Sequence, residues 1–254
     1  MSLSALAVFL ALASVAAYVQ TVTGFAFGLI LMAGVALAQT MPLPDAAALV
    51  SALTLANAAT MLARGWRHIA WREWLLCVPA SVPMIFVGVA LLNWLAADRI
   101  DLLRFILALV IALASLAVLK TPRLDAARPA GWTFTAAGVA SGLMSGLFAA
   151  GGPPLVFRFY TSPLPIPTIR ETLVSIYALN AIVRLGAVLG SPHPPPISVW
   201  WGLLAIPVVM GTTAAARRWP PPIAPKTLRF AVVALLLASA LSLGLPALPR
   251  LFAA

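Results

Sequence analysis

Apolar residues run along this chain in long stretches that short polar segments separate. Eight stretches stand out, at 3–39, 45–63, 73–95, 101–119, 131–160, 168–190, 197–216 and 229–246. A helix of roughly 20 apolar residues is long enough to cross the hydrocarbon core of a bilayer. The pattern therefore predicts an all-α integral membrane protein that crosses the membrane several times.

Two of the stretches, 3–39 and 131–160, are long for a single crossing, and polar and small residues interrupt both in the middle. The first interruption lies at 20–28 and the second at 145–154. Glycine and proline often interrupt or end helices, and the two prolines of the second interruption have no backbone N–H to donate. Each stretch is predicted to be a helix, a break and a second helix.

The two halves of the chain share this order of elements. A broken stretch is followed by three plain helices in each half. A shift of 123 residues also aligns three pairs: Gly28 with Gly151, Pro44 with Pro167, and Asn57 with Asn180. The sequence predicts two repeats, residues 1–122 and 129–254, within a single membrane domain.

Charge gives the predicted orientation of these repeats. Only 9% of the residues are charged, against about 25% in soluble domains, and the net charge is +10. Basic residues gather in the loops 64–72, 120–128 and 217–226, which the positive-inside rule places in the cytoplasm. Each broken stretch then returns to its starting side, as a re-entrant hairpin or as two full crossings. The repeats are therefore inverted, which is the architecture of secondary transporters.

The helix breaks are the first candidates for a substrate site. The N-terminus of a half-helix presents unpaired N–H groups and a positive dipole end, which bind anions, and glycine lets a ligand approach the backbone closely. The same glycines can instead serve only close helix packing. The candidates are Gln20, Thr23, Gly24 and Gly28 at the first break, and Ser145, Gly151, Gly152 and Pro153 at the second.

Polar residues inside the plain helices add further candidates. Asn57 and Asn180 occupy matched positions, and Tyr177 lies one turn before Asn180. These residues either flank a central site or only form hydrogen bonds between helices. Arg158 and Arg184 either bind an oxyanion with two hydrogen bonds or extend to the membrane surface.

Acidic residues are confined to loops and helix ends, so the site is predicted to take an anion. Glu171, at the start of a helix, is either an electrostatic cap or a proton carrier. Only two histidines and one cysteine are present, and the sequence predicts no metal site, no cofactor, no catalytic residue and no nucleic-acid partner. A membrane-embedded enzyme would need a nucleophile with a base, or a metal cluster.

The segment 141–156, SGLMSGLFAAGGPPLV, resembles the second-repeat signature of the TauE/SafE family of sulfite exporter-like permeases. The segment 20–31 is similar to the first-repeat signature, although Phe25, Ala26 and Phe27 stand where the family has more glycine. The resemblance implies alternating-access transport, chiefly export, of sulfite, sulfoacetate or other organosulfonates across the plasma membrane. We also expect proton coupling and a homodimer; a drug/metabolite-type exporter and a structural membrane subunit are the other interpretations.

Overall fold

A computed structural model describes residues 3–39, 41–118, 129–191 and 194–219, together with single positions between 230 and 246. The predicted boundary between the repeats, at 120–128, lies outside the described residues. So do most of the basic loop 217–226 and much of the last apolar stretch. The description therefore covers both helix breaks and every predicted site residue.

The described parts of the chain are helical and contain no strand, which confirms the predicted all-α class. A short 3₁₀ helix, Trp66–His68, extends α3, and another, Ile197–Ala205, leads into α9. The α-helices are α1 (Leu3–Thr23), α2 (Phe27–Ala38), α3 (Leu43–Gly65), α4 (Trp71–Asp98), α5 (Ile100–Val118), α6 (Gly131–Phe148), α7 (Gly152–Tyr160), α8 (Ile166–Leu189) and α9 (Ile206–Arg218).

Within the described residues, five helical segments are long and apolar enough to cross a bilayer. They are Leu6–Thr23, Leu43–Ala63, Trp71–Ala97, Ile166–Leu189 and Ile197–Arg218. Tryptophans at the ends of several helices, among them Trp66, Trp94 and Trp219, are exposed, as is typical of the two membrane interfaces. The chain is a multi-pass membrane protein.

The apolar stretch 197–216 differs from its prediction as one uniform helix. Its first nine residues form a 3₁₀ helix, and α9 begins at Ile206 with Pro207 in its first turn. Proline lacks the N–H that would continue an α-helical ladder from the preceding residues, but it is well suited to the first turn of a new helix.

Both long stretches are broken where the sequence predicts a break. At the first break, Gly24 has φ 82° and Ala26 has φ 83°, and this left-handed backbone ends α1 and starts α2. At the second, Ala149 has φ 52°, and α7 follows with two prolines in its first turn. With nine residues, α7 is only about 14 Å long, too short to cross a bilayer alone.

A stripe of glycines on α6 holds this helix against α4. Gly138, Gly142 and Gly146 recur every four residues and lie directly on the α4 backbone. A methyl group at each position would overlap a carbonyl oxygen of α4, at Cys77, Ser81 and Ile85 respectively. Small residues let membrane helices approach this closely. In the same way α1 packs against α9, so each broken stretch contacts a plain helix of the other predicted repeat.

Candidate functional site

The two helix breaks meet inside the protein. A side chain at Gly28, in the first turn of α2, would overlap the carbonyl oxygen of Ala149 in the second break. A methyl group at Gly152, where α7 begins, would lie 3.9 Å from the Cβ atom of Phe25 in the first break. The starts of both half-helices therefore border one space, and a glycine is required at Gly28 for the breaks to touch.

A cavity of about 30 Å³ lies at this meeting point. By that measure it holds roughly two waters, which is close to the size of a small anion. Eight of the residues predicted from the sequence line it: Gln20, Gly28, Ser145, Gly151, Gly152, Tyr177, Asn180 and Arg184. The structure thus brings together candidates from α1, α2, α6, α7 and α8.

Arg184 is the charged side chain of this cavity wall, and it is only 1% exposed. Its Nε donates to the carbonyl oxygen of Gly146 at 3.1 Å, and its Nη1 donates to the Ser51 hydroxyl at 3.4 Å. Its Nη2 is buried without a hydrogen-bond partner among the described residues. No carboxylate of the described residues pairs with this guanidinium. A buried, uncompensated cation is costly in a membrane protein and usually marks a ligand path.

Neutral donors share the cavity wall with the guanidinium. The Tyr177 hydroxyl is buried and has no hydrogen-bond partner in the described part of the chain, and the first-turn residues Gly28 and Leu29 of α2 line the cavity. First-turn N–H groups have no partner inside their own helix. On α7, by contrast, Pro153 and Pro154 remove two of these donors. The cavity therefore offers a guanidinium, a phenol and backbone amides, which together suit an oxyanion.

Asn57 lies behind the wall of this cavity and fixes one of its residues. Its Oδ1 accepts a hydrogen bond from Gln20 Nε2 at 2.8 Å, and its Nδ2 donates to the Thr213 hydroxyl at 2.7 Å. The Oε1 of Gln20 in turn accepts the N–H of Phe27 at 3.2 Å. Asn57 thereby orients the side chain that caps the start of α2, and it links α1 to α9.

Asn180 makes the matching set of contacts in the other half. Its Nδ2 donates to the Ser145 hydroxyl at 3.2 Å, and its Oδ1 accepts from the Ser81 hydroxyl at 2.9 Å. Ser145 lies on α6, as Gln20 lies on α1, and Ser81 lies on α4, as Thr213 lies on α9. Each asparagine therefore joins the broken stretch of its own half to a plain helix of the other half.

We expect Asn57→Ala to lower transport about tenfold or more. The substitution leaves the buried amide of Gln20 unpaired, at a cost of about 1–3 kcal/mol. It also lets the Gln20 side chain, which caps the start of α2, leave its position. The measurement is initial transport rate at equal amounts of folded protein in proteoliposomes. Thr60→Val on the same helix is the control, since Thr60 bonds only to the carbonyl oxygen of Ala56 in its own helix. Equal loss in both variants would contradict the role given to Asn57.

Two predicted residues of the first break lie next to the cavity wall but do not line it. The Thr23 hydroxyl donates to the carbonyl oxygen of Val19, and the backbone carbonyl oxygen of Thr23 accepts from the Tyr160 hydroxyl. Gly24 lies against the backbone of Arg170. Both residues sit where the end of α1 contacts α7 and α8, and a direct role in binding stays a prediction.

Arg158 and Pro153 also lie off the cavity wall. Pro153 is buried in the first turn of α7, and Arg158 is in its last turn. The Arg158 guanidinium lies over the Phe134 ring, 4.8 Å from its centroid, and donates to the Thr161 hydroxyl. The substrate contacts predicted for Arg158 and Pro153 stay predictions.

Several residues of the wall were not predicted from the sequence. They are Ala26, Phe27, Leu29, Ser51, Ala149, Ala150 and Ala181. Thr54, which forms a polar patch with Asn57 one turn later, also lines the wall. Ser51 precedes Thr54 by three residues on α3, and this shared polar face is the signal that could have identified it. The alanines carry no such signal, because only the tertiary fold brings their backbone to the cavity.

A second, larger cavity of about 260 Å³ lies beside the ends of α1 and α9. Here Arg170 Nη2 donates to the carbonyl oxygen of Val22 at 2.6 Å. Arg217 pairs with Glu171 at 3.5 Å and donates to the carbonyl oxygen of Met61. The other carboxylate oxygen of Glu171 is buried and has no hydrogen-bond partner within the described segments.

Fold and site together define a multi-pass helical membrane protein with a buried cationic cavity between two broken helices. The family described as Sulfite exporter TauE/SafE matches residues 9–243, and the chain belongs to this family. It is 35% identical over 248 residues to the "Probable sulfite/organosulfonate exporter TauE" of Cupriavidus necator strain H16, with 94% of this chain and 93% of that protein covered. No solved structure matches the chain. The predicted family is confirmed, and because the family is one of transporters, the protein is a transporter and not an enzyme.

Proposed function

We propose that this protein is a secondary transporter that exports small sulfur-containing oxyanions, such as sulfite, sulfoacetate and other organosulfonates, across the plasma membrane. The observation that carries the proposal is Arg184, a buried guanidinium that has no counter-ion among the described residues and lies on the wall of a cavity between two half-helix starts. The printed name of the Cupriavidus necator relative, a sulfite/organosulfonate exporter, supports the substrate class.

The donors of the cavity suit a sulfur oxyanion. A guanidinium binds two oxygens of such a group with parallel charge-assisted hydrogen bonds, and Arg184 has an unpaired Nη2 for this purpose. The Tyr177 hydroxyl and the first-turn amides of α2 would bind a remaining oxygen. The cavity of about 30 Å³ has room for roughly two waters, and the organic part of a sulfonate needs it to extend.

Alternating access would come from movement of the predicted repeats, 1–122 and 129–254, against each other. The matched contacts of Asn57 and Asn180 support two halves of similar construction. The contacts that join the end of α1 to α7 and α8, through Tyr160 and Arg170, lie on one side of the cavity. In the predicted orientation, with the basic loops in the cytoplasm, that side faces the cytoplasm, and these contacts would separate when the site opens there.

The drug/metabolite-type exporter is less well supported. That interpretation needs two full crossings at each broken stretch, whereas α7 has nine residues and is about 14 Å long. The predicted proton coupling has a candidate carrier in Glu171, which is buried and has one unpaired oxygen.

Counterflow in proteoliposomes tests the proposal. Vesicles that contain the purified protein are loaded with unlabelled sulfite, and the uptake of labelled sulfite, sulfoacetate and an aromatic sulfonate is followed. We expect accelerated uptake of at least one sulfur anion and none of a cationic amine, since a cation is repelled by Arg184; phosphate is included as the competing oxyanion. Folded protein that exchanges no sulfur anion would refute the substrate assignment.

A further inference from the structure

None of the described residues neutralises the positive charge that Arg184 brings to the central site. Both hydrogen-bond acceptors of Arg184, the Gly146 carbonyl oxygen and the Ser51 hydroxyl, are uncharged. No aspartate or glutamate is among the described residues that line the cavity. The N-terminus of each half-helix adds a further partial positive charge. The site is therefore strongly positive when empty and closer to neutral when an anion occupies it.

The nearest candidate for an internal counter-ion on the same helix does not change this balance. Glu171 precedes Arg184 by 13 residues on α8, which is about 20 Å along the helix axis. Its carboxylate is paired with Arg217 in the other cavity. A carboxylate at that distance, already paired, leaves the charge of Arg184 uncompensated.

The uncompensated charge of Arg184 makes the empty and the loaded site differ in how easily they change sides during transport. Alternating access passes through a form in which the site is closed to water on both sides. With an anion bound, the guanidinium is paired in that form; without one, it is an isolated charge in a medium of low dielectric constant, which costs far more. The loaded site is expected to change sides readily, and the empty site to change sides slowly.

We propose that this protein is an anion exchanger, in which export of one sulfur oxyanion requires that a second small anion occupy the site on its return. The inference rests on the proposed function and goes beyond it, since it identifies the coupled species as an anion. It also differs from the proton coupling predicted from the sequence, because a proton on Glu171 would not neutralise Arg184.

The test compares exchange with net efflux in the same proteoliposomes. Vesicles loaded with radiolabelled sulfite are diluted into gluconate, a large sugar carboxylate that serves as the non-substrate anion, or into unlabelled sulfite. Potassium and valinomycin on both sides prevent charge build-up from limiting efflux. We expect efflux into sulfite to be about tenfold or more faster than efflux into gluconate.

Equal rates into gluconate and sulfite would overturn the inference while leaving the proposed function intact. Rapid efflux into gluconate that needs only an imposed pH difference would overturn it as well, in favour of proton coupling. The absence of sulfite movement under every condition, with folded protein, would instead refute the proposed function. The wild-type comparison is decisive without any variant.

A built-in counter-ion gives a second test. Ser51 Oγ lies 3.4 Å from Arg184 Nη1, so Ser51→Asp places a carboxylate beside the guanidinium, and Ser51→Asn adds a neutral group of the same size. In Ser51→Asp we expect the ratio of exchange to net efflux to fall towards one, because the empty site is neutral; Ser51→Asn keeps the high ratio. A folded Ser51→Asp protein with the wild-type ratio would contradict the inference, and if it does not fold, the wild-type ratio decides.

Discussion

Replacing Arg184 with alanine is expected to abolish sulfite exchange while the protein still reaches the membrane. The guanidinium provides the full positive charge of the cavity wall, and the loss of one partner of a buried charged hydrogen bond costs about 2–5 kcal/mol or more. That range corresponds to a loss of roughly 30-fold or more in affinity. The measurement is counterflow of labelled sulfite at matched amounts of monodisperse protein.

Two further variants test whether the charge or the shape of the Arg184 side chain matters, and whether the other arginine can replace it. Arg184→Lys keeps the charge but not the planar pair of donors that suits an oxyanion, so we expect it to retain only part of the exchange. Arg158→Ala removes the other arginine that the sequence selected, which lies over Phe134 and away from the cavity wall. If exchange is lost in Arg158→Ala but kept in Arg184→Ala, the assignment of Arg184 as the substrate-binding arginine is wrong.

The sequence does not show which of these two arginines lies at the cavity. Both are cations in apolar surroundings next to a candidate break or asparagine, and the spacing along the chain does not separate them. The length of α7 does: Arg158 falls in its last turn, beyond the cavity, whereas Arg184 lies one turn after Asn180 on the face of α8 that borders both breaks. This distinction depends on how the half-helices pack against α8, which no local pattern encodes.

The breaks themselves were predictable, because glycine, proline and polar residues in the middle of an over-long apolar stretch have a direct effect on the backbone. The matched asparagines were also found from the sequence, although their partners were not. Ser81 and Thr213 lie on helices of the other half, and a hydrogen bond over such a separation is visible only in the fold. The glycine stripe of α6 was present in the sequence, yet only its position on α4 shows what it does.

That stripe leads to the second large effect: Gly142→Ala is expected to destabilise the protein strongly. The added methyl group would overlap the carbonyl oxygen of Ser81, and because the obstacle is backbone, α4 and α6 must separate. Overpacking of this kind typically costs about 1–3 kcal/mol. We expect a lower midpoint of thermal unfolding in detergent. The measurement is the amount of protein that remains in the native peak of a size-exclusion column after heating to successive temperatures.

Gly186→Ala is the matched control for this substitution, since it is the same change inside a membrane helix and meets no atom within 4 Å. Its unfolding midpoint should stay at the wild-type value or rise slightly, because alanine loses less conformational entropy than glycine on folding. Ser81 also donates to Asn180 on the cavity wall, so displacement of α4 should lower exchange in Gly142→Ala together with stability. Equal midpoints for the two variants would show that α4 and α6 do not depend on glycine for their close packing, and would remove the structural reason for linking this interface to the site.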